Sequence, residues 1–321
     1  MKNLRIVFMG TPEFAVATLG SLLMNGYNVV GVVTTPDKPA GRGRKITKSG
    51  VKKFAESNYL PVFQPDNFTD PDFIDRLKKL NASVFIVVSF RMLPEVVWKM
   101  PSLGTINLHA SLLPQYRGAA PINHAIINGE TITGVTTFFI NDKIDTGSIL
   151  LREEIQIFPF ENAGDLHDRL MKHGARLVIR TLQAIAENRI KPQLQSQFII
   201  PGEILKPAPK IHPKDCIIDW NNSPQKIQNL IRGLAPHPGA NSSFESAKGA
   251  LSYKIFESQP EPAEHKYKPG QVISDGKNFI KVACKGGFIN IVQLQLEGRK
   301  MMNCVEFLRG FRIADYSIIA H

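Results

Sequence analysis

Ile6-Val7-Phe8-Met9-Gly10-Thr11-Pro12 opens the chain with an apolar run, a glycine and a proline, and Glu13 to Asn25 follows with Phe14, Ala17, Leu19 and Leu22 spaced to face one side. A buried strand running through a tight turn into an amphipathic helix is the first half of a β-α-β unit. The pattern repeats. With Leu4 to Met9 as strand one, Asn28 to Thr34 reads as strand two, Val51 to Asn58 as a short helix and Pro61-Val62-Phe63 as a brief strand. Asp70 to Leu80 reads as a helix and Ser83 to Val88 as a buried strand. Gly104 to His109, Thr133 to Ile140 and Ile149 to Ile157 are further strands, with helices over Pro121 to Asn128 and Ala163 to Asn188. This predicts an α/β domain with a Rossmann-like, mostly parallel sheet covered by helices.

At 321 residues the chain is long enough for about two domains. The stretch around Lys191 to Pro213 carries Pro192, Pro201, Pro207, Pro209 and Pro213, which predicts a linker over 191–206 between a catalytic domain over 1–190 and a second domain over 207–321. In the second, a helix over Pro224 to Gly233 precedes short strand-like runs at Ser252 to Phe256, Gly270 to Ile273, Phe279 to Cys284 and Phe288 to Leu296. Short strands punctuated by Gly and Pro predict a smaller β-barrel, OB-like in type.

Composition excludes several classes. Apolar residues make up 43% and charged residues 21%, outside the range of disordered chains. No apolar run approaches the roughly 18 to 20 residues a membrane span needs, and Ile6 to Met9 is too short for a signal-peptide core, so a cytoplasmic protein is expected. Cys216, Cys284 and Cys304 are odd in number and widely spaced, which argues against disulfides and against a metal site. The net charge of +11 favours a polyanionic partner or, equally, a solvated surface. From Lys206 onward there are sixteen Lys/Arg against ten Asp/Glu, a net +6, leaving +5 for the first 205 residues. The last third is thus the more basic per residue.

Gly10-Thr11-Pro12 lacks the three-glycine fingerprint of a dinucleotide site. Parallel-sheet domains still bind ligands beyond the carboxyl ends of their strands, where Asn107-Leu108-His109 lies. Residues two apart on a strand share a face, so Asn107 and His109 project together. Asp145-Thr146-Gly147 follows another apolar strand and can bring a carboxylate to the same rim. An amide, an imidazole and a carboxylate offer an oxyanion donor, a group that titrates near neutrality and its partner. By spacing alone a strand histidine is more often a satisfied structural residue, and Asp-x-Gly more often a turn.

Ser111-Leu112-Leu113-Pro114-Gln115-Tyr116-Arg117-Gly118-Ala119-Ala120-Pro121, preceded by Asn-Leu-His, adds a longer signal. With Phe8-Met9-Gly10-Thr11-Pro12-Glu13-Phe14-Ala15, Pro36-Asp37-Lys38-Pro39-Ala40-Gly41-Arg42-Gly43-Arg44 and Ile218-Asp219-Trp220, the chain resembles the folate-dependent formyltransferases, and among them those acting on methionyl-tRNA. The resemblance runs over essentially the whole chain. It implies formyl transfer from 10-formyltetrahydrofolate to an amine, without a metal, and catalytic roles for Asn107, His109 and Asp145. It also implies folate contacts at Ser111, Leu112, Leu113 and Pro114, and a monomer acting on initiator methionyl-tRNA. Where family members commonly carry Asp and Gly before Asp-Thr-Gly, this chain has Asn141 and Lys143, and Ser89-Phe90-Arg91 replaces a small residue, an aromatic and a glycine.

Between Thr34 and Lys53 seven Lys/Arg stand against one acid, Asp37. This stretch is expected to be a loop without regular structure, either solvated or mobile and functional. The resemblance implies tRNA contacts for Arg42, Arg44 and Lys45, with Arg42 foremost because a guanidinium pairs with phosphate or base edges. Two other readings share the residues: a folate-dependent formyltransferase for a small amine, and a non-catalytic RNA-binding protein.

Overall fold

The computed structural model describes residues 4–40, 45–246, 249–312 and 317–318. The chain forms two compact units: one comprises the chain up to Ala119 with Ile132–Gln156 and His167–Ala208, the other Ala120–Thr131, Ile157–Leu166 and the chain from Pro209. Residues 120–131 and 157–166 lie early in the sequence yet group with the second unit.

In the first unit β1 (Arg5–Gly10), α1 (Glu13–Met24) and β2 (Asn28–Val33) are followed by a hairpin of β3 (Lys38–Ala40) and β4 (Lys45–Thr47). Next come α2 (Gly50–Ser57), β5 (Val62–Phe63), α3 (Pro71–Lys79), β6 (Val84–Val88), α4 (Glu95–Trp98) and β7 (Thr105–His109). α5 (Pro121–Ile127) belongs to the second unit, after which β8 (Ile132–Phe139), β9 (Ile149–Gln156) and most of α6 (Ala163–Ala186) complete the first. The seven-stranded sheet has the order β5-β2-β1-β6-β7-β8-β9. It is parallel as far as β7, with β8 and β9 antiparallel, as a Rossmann-like, mostly parallel sheet requires.

The inner strands β1 and β6 are buried. Ile6, Val7, Phe8 and Met9 in β1 and Val84 to Val88 in β6 are buried on both faces, which is why these strands read as unbroken apolar runs. α1 presents Phe14, Ala15, Thr18, Leu19 and Leu22 inward, and Ala17, expected on this face, is only half-buried, because Thr18 takes the i+4 position below Phe14. α6 approaches β7 closely at Gly174, where a Cβ would stand 2.8 Å from Leu108. Leu108 therefore packs toward this helix, and the neighbouring positions on β7, Asn107 and His109, face the other way.

The stretch after Thr34 is more ordered than its composition implies. Lys38–Ala40 pairs antiparallel with Lys45–Thr47, and Ser49 caps α2 by accepting from the Lys52 amide at 3.0 Å. Lys52 lies 2.6 Å from Asp37, and Lys48 2.7 Å from Glu56. The hydrogen bond from Lys52, then that from Gln64, holds the Asp37 carboxyl below the usual carboxylate range. Two of the seven cations are thus paired within the fold.

The proline-rich stretch is likewise packed rather than free. Gln193 exchanges both backbone hydrogen bonds with Ile149 at 2.8 and 2.9 Å, and a 3-10 turn spans Gln195–Phe198. Prolines remove donors, but the amides of Gln193, Lys206 and Ala208 find acceptors at Ile149, Gln115 and Arg117.

In the second unit α7 (Pro224–Leu234) packs in an antiparallel sheet domain whose strands are β10 (Ala240–Ser246), β11 (Gly249–Pro262), β12 (Val272–Ser274), β13 (Ile280–Cys284), β14 (Gly287–Leu296), β15 (Met302–Asn303) and β16 (Ser317–Ile318). Their order is β12-β13-β14-β11-β10-β16, with β15 on β14. Trp220, Phe244 and Tyr253 are fully buried with Ile227, Ile231, Ile289 and Leu294 in its core, closed by α8 (Cys304–Gly310). α5 joins through Gly233, where a Cβ would stand 2.6 Å from Ile127, and through Asn123 Nδ2, which donates to the Gly233 carbonyl at 2.8 Å. No helix among the described residues is long and apolar enough to cross a membrane.

Candidate active site

β7 ends between parallel β6 and antiparallel β8, with Asn107 opposite Val87 and Phe138, and His109 opposite Thr136. That register puts Thr136 under the turn leaving β7. Its Oγ1 donates to the Ser111 carbonyl at 2.6 Å and accepts from the Leu113 amide at 3.2 Å. The turn carries a cis Leu113-Pro114 peptide.

Asn107 and His109 share a face of β7, as the period of the strand requires. The Asn107 Oδ1 atom is buried and accepts no hydrogen bond from any of the described residues. Desolvating a polar atom without a partner is unfavourable by about 1–3 kcal/mol, and such an atom at a strand end marks a place where a ligand completes the bonding. His109 is 7% exposed. Its Nε2 lies 2.8 Å from the Tyr116 carbonyl, which can only accept, so Nε2 carries a proton. Nδ1, the nitrogen left to gain or lose one, faces Oδ2 of Asp145 at 3.8 Å. At that separation the two groups do not hydrogen-bond directly.

Asp145 has a left-handed backbone, φ +53°, which Asp tolerates better than most residues. Its Oδ2 accepts from the Gly118 amide at 3.0 Å. Gly118, at φ +127°, passes so near Ala208 that a Cβ would stand 2.4 Å from its carbonyl oxygen. Gly147 sits under Phe139, where a Cβ would stand 1.6 Å from the carbonyl oxygen, so the close turn after Asp145 requires glycine. Asn141 closes this loop, its Oδ1 accepting from the Lys143 amide at 3.1 Å and from Thr146 Oγ1 at 3.0 Å.

Ser111-Leu112-Leu113-Pro114 lies immediately beside this cluster in the chain. Ser111 is fully buried and its Oγ donates to the Gln115 carbonyl at 2.6 Å; Leu113 is also fully buried, Pro114 is buried and Leu112 is half-buried. The serine hydroxyl thus shapes the turn. Arg91, by contrast, is exposed: its guanidinium lies 4.2 Å from the Phe68 ring centroid and donates to the carbonyls of Pro65 and Asp66. It ties the loop after β5 to the end of β6, a structural use for the residue that stands where a glycine is usual.

Arg42 and Arg44 lie outside the described residues, and of Lys45 only the backbone, in β4, is described. Among the described residues no three His, Cys, Asp or Glu side chains come together to hold a metal ion. Sequence reasoning missed Thr136, Tyr116, Gly118 and Gln195 as parts of this site. Tyr116 and Gly118 act through backbone atoms, and Thr136 enters by strand register, so no side-chain motif signals them.

A mostly parallel sheet with an amide, an imidazole and a carboxylate at the carboxyl end of an inner strand, followed in the chain by an antiparallel β domain, defines the class. Residues 4–182 match the formyl transferase family and residues 210–312 the formyl transferase C-terminal domain. A methionyl-tRNA formyltransferase of Bacteroides fragilis is 52% identical over 315 residues, covering 98% of this chain and 97% of the relative. One of Flavobacterium johnsoniae is 53% identical over 315 residues, 98% of each chain. The chain belongs to the methionyl-tRNA formyltransferase family. The fold is shared with WlaRD, a sugar 3N-formyl transferase (TM-score 0.61, 20% identity, 92% of this chain and 99% of that one). It is also shared with HypX from Aquifex aeolicus in complex with tetrahydrofolic acid (TM-score 0.61, 18% identity, 98% of this chain and 51% of that one).

Proposed function

We propose that the chain transfers the formyl group of 10-formyltetrahydrofolate to the α-amine of methionyl-tRNA, giving formylmethionyl-tRNA for translation initiation. The observation that carries this reading is that Asn107 and His109 share one face of the same strand end, with Asp145 3.8 Å from the His109 ring. That arrangement suits an acyl-type transfer to an amine.

As the amine adds to the formyl carbon, negative charge develops on the formyl oxygen. The amide N–H of Asn107 and a protonated His109 stabilise it, and fixed donors at such a point are worth a factor of about 10²–10³ each. Asp145 takes the amine proton directly or through water; as the oxyanion collapses, the bond from the formyl carbon to N10 of the donor breaks and that nitrogen takes up a proton, leaving as tetrahydrofolate. The Tyr116 carbonyl accepts from Nε2, which leaves Nδ1 facing the carboxylate. Folate is assigned to the Ser111 to Pro114 turn, where Leu112 and backbone atoms remain for it. Arg42, Arg44 and Lys45 are assigned to acceptor-stem phosphates, and the basic domain over 207–321 to further phosphate contacts. The enzyme acts as a monomer in the cytoplasm.

The test is to incubate the purified protein with 10-formyltetrahydrofolate and charged methionyl-tRNA, beside free methionine and small amines, and to follow formyl transfer by mass spectrometry. Formylation of the charged tRNA alone supports the reading. Formylation of a small amine alone transfers the site to another acceptor, and no transfer to any acceptor leaves a binding protein.

A further inference from the structure

Gln195 lies in the proline-rich stretch, yet its side chain is 4% exposed and every polar atom of its amide is engaged by the active-site loops. Nε2 donates to the backbone carbonyls of Asp145 at 2.8 Å and Gly147 at 2.9 Å. Oε1 accepts from Nε and Nη2 of Arg117 at 3.0 and 2.6 Å. Chemistry fixes this orientation: carbonyls only accept and a guanidinium only donates, so a flipped amide would lose all four bonds. Gln195 is itself anchored, because Gln193 pairs with Ile149 at the start of β9.

The amide therefore joins two loops. One carries Asp145; the other carries the Tyr116 carbonyl that holds His109 and the Gly118 amide that holds Asp145. The second loop is tied to the same stretch of chain again, by the Tyr116 amide to the Lys206 carbonyl at 2.7 Å and the Ala208 amide to the Arg117 carbonyl at 2.8 Å.

We propose that Gln195 is a positioning residue for formyl transfer, holding the left-handed backbone at Asp145 so that its carboxylate stays in register with His109. This rests on the formyltransferase reading above. Without the amide the Asp145 and Gly147 carbonyls lose their shared donor, and the Gly118 amide must hold the Asp145 carboxylate on a looser loop. A site needs its reacting groups fixed to about 0.5 Å, so a loosened loop lowers the rate of the chemical step rather than the binding of substrates.

Two variants of the full chain test this. Gln195→Glu is nearly isosteric and keeps an acceptor for Arg117, but it loses both donors to the Asp145 loop. Gln195→Ala removes all four bonds. The readouts are kcat and KM for 10-formyltetrahydrofolate and methionyl-tRNA, binding of unreactive 5-formyltetrahydrofolate, and hydrogen exchange of the backbone amides around Asp145. In both variants kcat is expected to fall about 10-fold or more, with each KM and the folate affinity within about 3-fold of the parent. Exchange should quicken at 145–148 while β1, β6 and β7 keep their protection. The proposal is overturned if Gln195→Glu retains kcat within about 2-fold, or if kcat falls only together with both KM values and a loss of protection across the whole sheet. An inactive parent in the same assay would count against the formyltransferase reading; an active parent matched by both variants would count against Gln195 alone.

Discussion

The Asp145 carboxylate stands 3.8 Å from Nδ1 of His109, and neither side chain holds the other in place. The ring is fixed by the Tyr116 carbonyl and the carboxylate by the Gly118 amide, two residues apart on one loop. That loop is the common ruler for the pair, and a change in its backbone moves both groups. Most of the bonds that set the geometry are therefore backbone bonds.

Removing the ring should show which step it serves. His109→Ala is expected to abolish turnover while largely sparing tRNA binding, and Asn107→Ala to lower kcat by about 10²–10³, or roughly 3–4 kcal/mol of transition-state stabilisation. Steady-state kinetics beside tRNA filter binding decide this. Activity of His109→Ala within a few-fold of the parent removes the ring from the mechanism.

Gly118 can be tested without touching any side chain in the site. A Cβ there would press to 2.4 Å from the Ala208 carbonyl, and its φ of +127° disfavours other residues. Gly118→Ala should destabilise the protein by about 2–4 kcal/mol and lower kcat by more than 10-fold, because it displaces the amide that grips Asp145. Thermal melting and kinetics on the same sample check both; an unchanged melting temperature would show that the loop relaxes freely.

The three thiols are buried, and burial pushes Cys284 up to about 11, with Cys216 and Cys304 raised in the same direction. At pH 8 about one Cys284 in a thousand is thiolate, so native protein should react slowly with a disulfide reagent, and all three thiols quickly in guanidinium. The sign of the linkage follows. The unfolded thiol ionises near about 8.5, so the folded state binds the extra proton above that pH, and Cys284's contribution to stability is lost as pH climbs toward 11. Denaturant melts at pH 8 and pH 10 measure it.

Arg42→Ala is expected to raise KM for methionyl-tRNA more than for folate, and equal effects on both would remove the basic stretch from acceptor binding. Affinity for tRNA should also fall steeply with salt, since each neutralised phosphate releases counterions. A flat salt titration would contradict the electrostatic role of the 207–321 domain.

The sequence by itself determined the strand–turn–helix of Leu4 to Asn25, the unbroken apolar strands β1 and β6, the placing of Asn107 and His109 on one face of β7, and the family. These follow from local periodicity and a contiguous motif, which one stretch of chain carries complete. It also held a start signal for α8 that the pattern of strands obscured: Asn303 accepts from the Glu306 amide at 2.8 Å, and both residues are visible in the sequence.

Only the tertiary structure decided the rest. The Lys38–Ala40 and Lys45–Thr47 hairpin has no apolar alternation to announce it, and its surroundings are set by Asp37 pairing with Lys52 fifteen residues on. Thr136 reaches the Ser111 turn because β8 pairs with β7 in one register, which local pattern does not fix. Gln195 meets Asp145 fifty residues away, from a stretch whose prolines read as a linker. The partners of its Nε2 are carbonyl oxygens that every residue possesses, so their identity carries no information in sequence; packing brings them to the donor.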